Sequence, residues 1–123
     1  MGYESKLYVI EKTRCSFDDD GYKYAQVIAM FDMCKFYGLS DRLTKSPKTN
    51  YYFYADDGNT RVLEDMYGDK LTETSLADVI EILEEQIDNG ETYRRIYPAL
   101  AALKELEEHK DQWHELAVLH YGY

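Results

Sequence analysis

The clearest structural signal in the sequence is the segment Ser75-Leu-Ala-Asp-Val-Ile-Glu-Ile-Leu-Glu-Glu-Gln-Ile-Asp-Asn-Gly90. Ser75 is a favourable helix N-cap, Asp78 suits the positive end of the helix dipole, and Gly90 suits the C′ position. These signals predict an amphipathic helix over residues 76–89. Its apolar residues recur at helical spacing and form one face, which consists of Leu76, Val79, Ile80, Leu83 and Ile87.

The opposite face of this helix is strongly acidic. It carries Asp78, Glu81, Glu84, Glu85 and Asp88. One interpretation is a solvated face that maintains solubility, which is the common role of such residues. The other is a row of carboxylates that imitates nucleic-acid phosphates for a basic partner, since residues 78 and 85 would lie about 10 Å apart along the helix. We expect Asp56 and Asp57, at a neighbouring turn, to belong to the same partner-binding surface.

Several segments rich in β-branched and aromatic residues predict strands. They are residues 7–13, 24–34, 51–54, 60–64 and 114–121. Residues 24–34 also fit a buried helix, because periodicity does not separate the two there, but simple pairing with the preceding strand favours a strand. A second helix is predicted over residues 98–108, with Pro98 in its first turn. The polar segment 38–50 is typical of a loop.

The resulting order β-β-β-β-α-α-β predicts an α+β fold. We expect a mostly antiparallel sheet of four to five strands with two helices packed on one face. With 123 residues and no detectable repeat or linker, the chain is expected to form a single domain over residues 1–123.

Charge is distributed unevenly along the chain, whose net charge is −10. Residues 1–50 hold 8 Lys/Arg and 7 Asp/Glu, whereas residues 51–123 hold 6 and 17. A surface with this much negative charge repels phosphate backbones, so direct nucleic-acid binding is not expected. The same charge suits a basic protein partner.

The sequence shows no secretory signal and no apolar run of the ~20 residues that a membrane helix needs. We therefore expect a soluble, cytoplasmic protein with no membrane partner. Cys15 and Cys34 are then expected to stay reduced, with Cys34 in the core.

Acidic residues around the central turns raise the question of a metal site. The candidates are Asp56, Asp57, Glu64, Asp65 and Asp69. Their spacing lacks the calcium-loop pattern, and turns favour Asp for local hydrogen bonding, so turn chemistry is the preferred interpretation. The three histidines lie at no ligand spacing, and glycine-rich phosphate loops are absent. We expect no metal, no cofactor and no enzymatic activity.

Tyrosine is unusually frequent, with 13 in 123 residues. Tyr51, Tyr52 and Tyr54 alternate faces on a strand, so at least one should point outward. Exposed tyrosine beside acidic groups makes a good protein-binding surface, because it offers large contact area at small entropic cost.

Four segments together resemble small uncharacterised acidic proteins encoded by phages and prophages of Gram-positive bacteria. They are Met1-Gly-Tyr-Glu-Ser-Lys-Leu-Tyr-Val-Ile10, Tyr24-Ala-Gln-Val-Ile-Ala-Met-Phe-Asp-Met33, Tyr52-Phe-Tyr-Ala-Asp-Asp-Gly58 and Leu119-His-Tyr-Gly-Tyr123. The resemblance implies the cytoplasm of an infected bacterial host as the setting. It also implies binding and blocking of a host protein, including defence nucleases with basic nucleic-acid channels. It implies no particular residues.

The residues and the resemblance together lead to one main hypothesis. We expect a non-enzymatic phage-type accessory protein that binds a basic host protein through an acidic, tyrosine-bearing surface. A self-assembling structural protein, in which tyrosine and apolar surface build a homo-oligomer, is the alternative. A small metal-dependent enzyme is a third class.

Overall fold

Over residues 3–14 and 16–123, which it describes, the computed structural model of the protein contains three α-helices and a six-stranded mixed sheet. The elements in chain order are β1 (Ser5–Lys12), β2 (Lys23–Cys34), α1 (Tyr37–Leu43), β3 (Tyr51–Tyr54), β4 (Arg61–Val62), β5 (Thr72–Thr74), α2 (Leu76–Asp88), α3 (Ile96–Glu108) and β6 (Leu116–Gly122). The α+β class is therefore confirmed.

The strands lie in the order β4-β3-β2-β1-β6-β5. The first and last strands are paired in the middle of the sheet, with Ser5 opposite Gly122. All pairs are antiparallel except β2–β3, which is parallel and covers only Lys23 opposite Tyr51 and Tyr24 opposite Tyr52. The prediction of four to five mostly antiparallel strands is thus only roughly right.

One face of the sheet packs against the helices. Leu7 and Val9 of β1 and Val118 of β6 are fully or almost fully buried there, together with the inner sides of all three helices. The helix predicted over residues 76–89 is confirmed as α2, and the Ser75 side chain accepts a hydrogen bond from the Asp78 backbone N–H over 3.1 Å. This side of the sheet holds the larger core.

The opposite face of the sheet carries a second, smaller core. Because side chains alternate along a strand, Ile10 of β1 and Ala117 and Leu119 of β6 point away from the helices. Phe53 of β3 and Leu71 pack onto them. Short strands β3 and β4 therefore cover part of the face that the helices leave open.

Several predicted elements need correction. Residues 38–50, predicted as a loop, contain all of α1 except its first residue, and Leu39 and Leu43 of this helix lie one turn apart and are buried in the larger core. The three-residue strand β5 was not predicted at all, because it has no room for a period-2 pattern. The strand at residues 24–34 is confirmed as β2, and the second helix begins two residues before Pro98.

Cys34 ends β2 and is half-buried rather than fully in the core, with a positive φ of 51°. Cys15 lies outside the described residues, so the expected absence of a disulfide stays a prediction. No helix within the described ranges is long and apolar enough to cross a membrane.

Candidate functional site

The five predicted carboxylates of α2 share one exposed surface. We call it the acidic face, and it consists of Asp78, Glu81, Glu84, Glu85 and Asp88, all of them exposed. The opposite side of the helix, with Val79 and Leu83, is fully buried. Ala77 and Ile80 lie among four of the carboxylates in a shallow depression. The acidic face is therefore a rigid, charged surface with a small apolar centre.

Two of these carboxylates pair with cations from neighbouring helices. Glu85 Oε2 lies 3.1 Å from Arg42 Nη1 on α1, and Glu84 Oε2 lies 3.2 Å from Lys104 Nζ on α3. All four side chains are about half exposed, so each pair stabilises the fold by at most about 1 kcal/mol. Within the described part of the chain, Asp78, Glu81 and Asp88 have no ion-pair partner. These three residues carry the free negative charge of the surface.

Asp56 and Asp57 lie in the β3–β4 turn and not on α2. Both are exposed in the β3–β4 turn, and Asp56 borders the sheet face that points away from the helices. Asp57 accepts hydrogen bonds from the backbone of Asn59 and from the backbone and hydroxyl of Thr60. The hydroxyl bond and the backbone bonds lower the pKa of Asp57. Its role is to close the turn.

A tyrosine-bearing groove lies on that opposite sheet face, and the sequence did not reveal it. The groove has a volume of about 370 Å³ and is bordered by Lys6, Tyr8, Val27, Met30, Phe53, Tyr54, Ala55, Asp56, Val62 and Tyr121. Tyr8 stacks on Phe53 with ring centroids 4.3 Å apart. The alternation of side chains along β1 and β6 places Tyr8 and Tyr121 on the same face of the sheet. Their proximity to β3 depends on the strand order, which the sequence alone does not predict.

On the other side of β3, an arginine is held among tyrosines. The Arg61 guanidinium lies 4.1 Å from the Tyr52 ring centroid and also contacts the ring of Tyr22. Its Nη1 lies 2.9 Å from an Asp20 carboxylate oxygen in the β1–β2 turn. Burial, followed by the neighbouring Tyr54 and Asp18, raises the pKa of Tyr52 to about 12. Arg61 thus ties the β3–β4 hairpin to the β1–β2 turn.

We expect Arg61→Met to lower the free energy of unfolding, because it removes the cation–π contacts and the ion pair while keeping an unbranched side chain. Urea unfolding followed by circular dichroism measures the change. Arg94→Met is the matched control, since Arg94 is exposed on the α2–α3 connection. Equal stability of the two variants would show that Arg61 does not hold the hairpin.

The predicted metal candidates are not assembled into a site. Asp65 accepts hydrogen bonds from the backbone N–H groups of Tyr67 and Asp69, which is turn chemistry. Among the described residues, one group of three potential ligand side chains lies close together, Glu105, Glu108 and His109, and all three are exposed on α3 and its C-cap. Exposed acidic groups of this kind are common without a bound ion, so the cluster by itself is not evidence of a metal site.

Histidine and serine meet at one buried position. His120 Nε2 lies 2.8 Å from Ser5 Oγ, across the β1–β6 pairing. Burial lowers the pKa of His120 to about 4, and the negative charge of Asp65 opposes that shift. Ser5 is fully buried, so its hydroxyl is not open to a substrate. The pair matches two of the three members of a nucleophilic triad in residue type alone, and its geometry is that of a hydrogen bond within the core.

Comparison with known proteins gives no independent assignment. No protein-family profile matches the sequence, and no curated protein or solved structure shows significant similarity to the chain. The function is therefore inferred from the geometry of the surfaces described above.

Proposed function

We propose that the protein is a non-enzymatic binding protein that contacts a basic surface of another protein through the acidic face of α2. The proposal rests mainly on the row of five exposed carboxylates along one side of α2, whose other side is buried in the core. Because α2 does not need to become ordered on binding, its carboxylates are presented at little entropic cost.

The charge of the whole molecule supports the same partner class. The net charge is −10, so the protein attracts a basic protein from a distance. The unpaired carboxylates of Asp78, Glu81 and Asp88 would then contact its positive groups. Such steering raises the association rate and is weakened by salt. Ala77 and Ile80 supply a small apolar contact at the centre of the face.

A finer form of the proposal is that the acidic face replaces nucleic-acid phosphates in the channel of a host defence nuclease. The setting is then the cytoplasm of an infected bacterium, as the sequence resemblance implies. The ion pairs of Glu84 and Glu85 partly neutralise the centre of the row. The geometry therefore supports recognition of a basic protein surface more directly than it supports an unbroken copy of a phosphate backbone.

The test uses two double variants with the same change in charge. Glu81→Lys with Asp88→Lys reverses two free carboxylates of the acidic face, and Glu108→Lys with Asp111→Lys reverses two exposed acids elsewhere. Each protein is immobilised and exposed to a nuclease-treated lysate of a Gram-positive bacterium, and retained proteins are identified by mass spectrometry. We expect a basic protein that the original chain retains, and at least about tenfold weaker binding by the α2 variant.

Two outcomes would contradict the proposal. Equal loss of the retained protein in both variants would show that net charge alone attracts it. Undiminished retention by the α2 variant would show that another surface binds. Release by competing DNA would separate the finer form from the general one, because only a partner using its nucleic-acid channel exchanges the protein for DNA.

A further inference from the structure

The tyrosine-bearing groove lies between the β3–β4 hairpin and the sheet face that points away from the helices. Three of the apolar residues that border it are among the more exposed of the molecule. Val27, Met30 and Tyr54 are 36%, 46% and 42% exposed. Exposed apolar residues that are grouped around a groove often mark a binding site, whereas isolated ones do not. The groove is therefore a candidate binding site apart from α2.

Tyrosine rings of this protein frequently hold cations. The Arg61 guanidinium lies 4.1 Å from the Tyr52 ring centroid, and Lys12 Nζ lies 4.9 Å from that of Tyr51. Proteins contain about one energetically significant pair of this kind per 70–80 residues, and the attraction comes from the negative face of the ring. Strand β3 thus carries two such pairs on adjacent residues, next to the groove.

The rings that border the groove have no such cation. Tyr8 stacks on Phe53 and meets Tyr121 edge-on, with centroids 4.3 Å and 6.2 Å apart. Among the described residues, no Lys or Arg lies over the rings of Tyr8, Phe53, Tyr54 or Tyr121. The Asp56 carboxylate at the border is exposed and has no ion-pair partner in the described chain. The groove thus offers aromatic rings and a free negative charge.

One cation, Lys6, also borders the groove, but its charge is engaged at one end. Lys6 Nζ lies 4.6 Å from the ring centroid of Tyr123, whose hydroxyl donates a hydrogen bond to Asp32 Oδ1 over 2.6 Å. Burial raises the pKa of Asp32, but the hydrogen bonds from Tyr123 and Cys34, followed by the charge of Lys6, lower it overall. Asp32 therefore balances the charge of Lys6, and Asp56 remains free to receive another cation.

We propose that the groove binds an arginine side chain from an extended segment of a basic protein. The guanidinium lies against the rings of Tyr8, Tyr54 and Tyr121 and pairs with the Asp56 carboxylate. Arginine suits this combination because its planar guanidinium stacks on aromatic rings and also forms two parallel hydrogen bonds with a carboxylate. The net charge of −10 attracts such a segment from a distance.

The exposed apolar residues select a protein segment rather than a free small cation. A segment with apolar residues beside its arginine covers Val27 and Met30, which a small cation leaves in water. The groove and α2 lie on opposite faces of the sheet. The inference is therefore independent of the proposed function, and either can fail without the other.

The experiment is a nuclear magnetic resonance titration of the full chain with an end-blocked pentapeptide that carries one arginine between two leucines. We expect saturable shifts of the amide signals of Tyr8, Tyr54 and Tyr121. A peptide with citrulline, which has nearly the shape of arginine without its charge, should bind at least about fivefold more weakly. The α2 double variant, Glu81→Lys with Asp88→Lys, should bind the arginine peptide in the groove as the original chain does.

Variants test the two recognition groups separately. Tyr54→Leu should weaken binding by at least about threefold, whereas Tyr54→Phe, which keeps a ring, should not. Asp56→Asn should weaken it by at least about threefold, and Asp111→Asn, at an exposed acid elsewhere, is the matched control. Circular dichroism verifies that each variant is folded.

Three outcomes would overturn the inference. Equal affinity for the citrulline peptide would show that the groove recognises apolar surface and not a cation. Shifts confined to α2, or the absence of saturable shifts, would show that the groove is not the site. Tighter binding of a peptide with glutamate in place of arginine would assign recognition to Lys6.

Discussion

Replacing Leu83 by alanine is expected to lower the free energy of unfolding by about 2–5 kcal/mol. Leu83 is fully buried in the larger core, where α2 meets the sheet. The substitution removes three buried carbon atoms and leaves a cavity that the surrounding helices and strands fill only in part. Urea or thermal unfolding followed by circular dichroism measures the change.

Ile80→Ala is the control for this prediction, because Ile80 lies on the same helix but is only partly buried. We expect a smaller loss there, since fewer packed contacts disappear. If Leu83→Ala cost less than about 1 kcal/mol, α2 would not be packed on the core as described. The acidic face would then lose the rigid support on which the proposed function rests.

Acidification is expected to destabilise the protein through His120. Its pKa is about 4 in the folded chain, because burial disfavours the charged form, against an ordinary value of 6.5. The unfolded chain therefore binds a proton first as the pH falls. The stabilisation by neutral His120 is complete above pH 6.5 and is lost as the pH falls toward 4. This shift corresponds to roughly 3 kcal/mol.

His120→Gln isolates this contribution, because glutamine does not titrate and can still hydrogen bond to Ser5. Carboxylates also titrate near pH 4, so the informative quantity is the difference between the original and variant proteins. We expect their unfolding free energies to converge by up to roughly 3 kcal/mol between pH 7 and pH 4. Parallel pH profiles would show that His120 is not the neutral, buried group described here.

Helix α2 was predictable because its signals are local. The cap at Ser75, the stop at Gly90 and the apolar spacing all lie within one segment, and they agree with each other. The strand at residues 24–34 was also correct, since pairing with the preceding strand requires only a turn between them. Ile82 was missing from the predicted apolar face, although it is buried, because packing by α3 broadens the buried side of the helix.

The elements that were predicted wrongly, or not at all, depend on contacts between distant segments of the chain. Helix α1 lacks a side-chain N-cap hydrogen bond and is held by the burial of Leu39 and Leu43. Strand β5 exists because three residues pair with β6. The parallel β2–β3 pairing joins segments that the sequence places far apart, with α1 between them. Local patterns carry no information about such pairings.

The candidate surfaces show the same division. The acidic face followed from helical periodicity, whereas its partners Arg42 and Lys104 come from two other helices and were not foreseen. An outward tyrosine on residues 51–54 was predicted, and Tyr54 is indeed 42% exposed. The groove beside Tyr54 was not predicted, because its walls come from five strands. Asp56 borders this groove rather than the depression on α2, and whether it and Asp57 share a partner-binding surface with α2 stays a prediction.

The pairing of β1 with β6 has a consequence for synthesis of the chain. A ribosome delivers β6 about 100 residues after β1, which at ~5–20 residues per second is a delay of roughly 5–20 s. During that interval β1 can pair with β2, but the other edge of β1, which includes Leu7 and Val9, is unpaired. The sheet of the nascent chain is therefore incomplete for several seconds. We expect chaperones to be needed most at this stage, because the unpaired edge of β1 and its apolar residues are exposed.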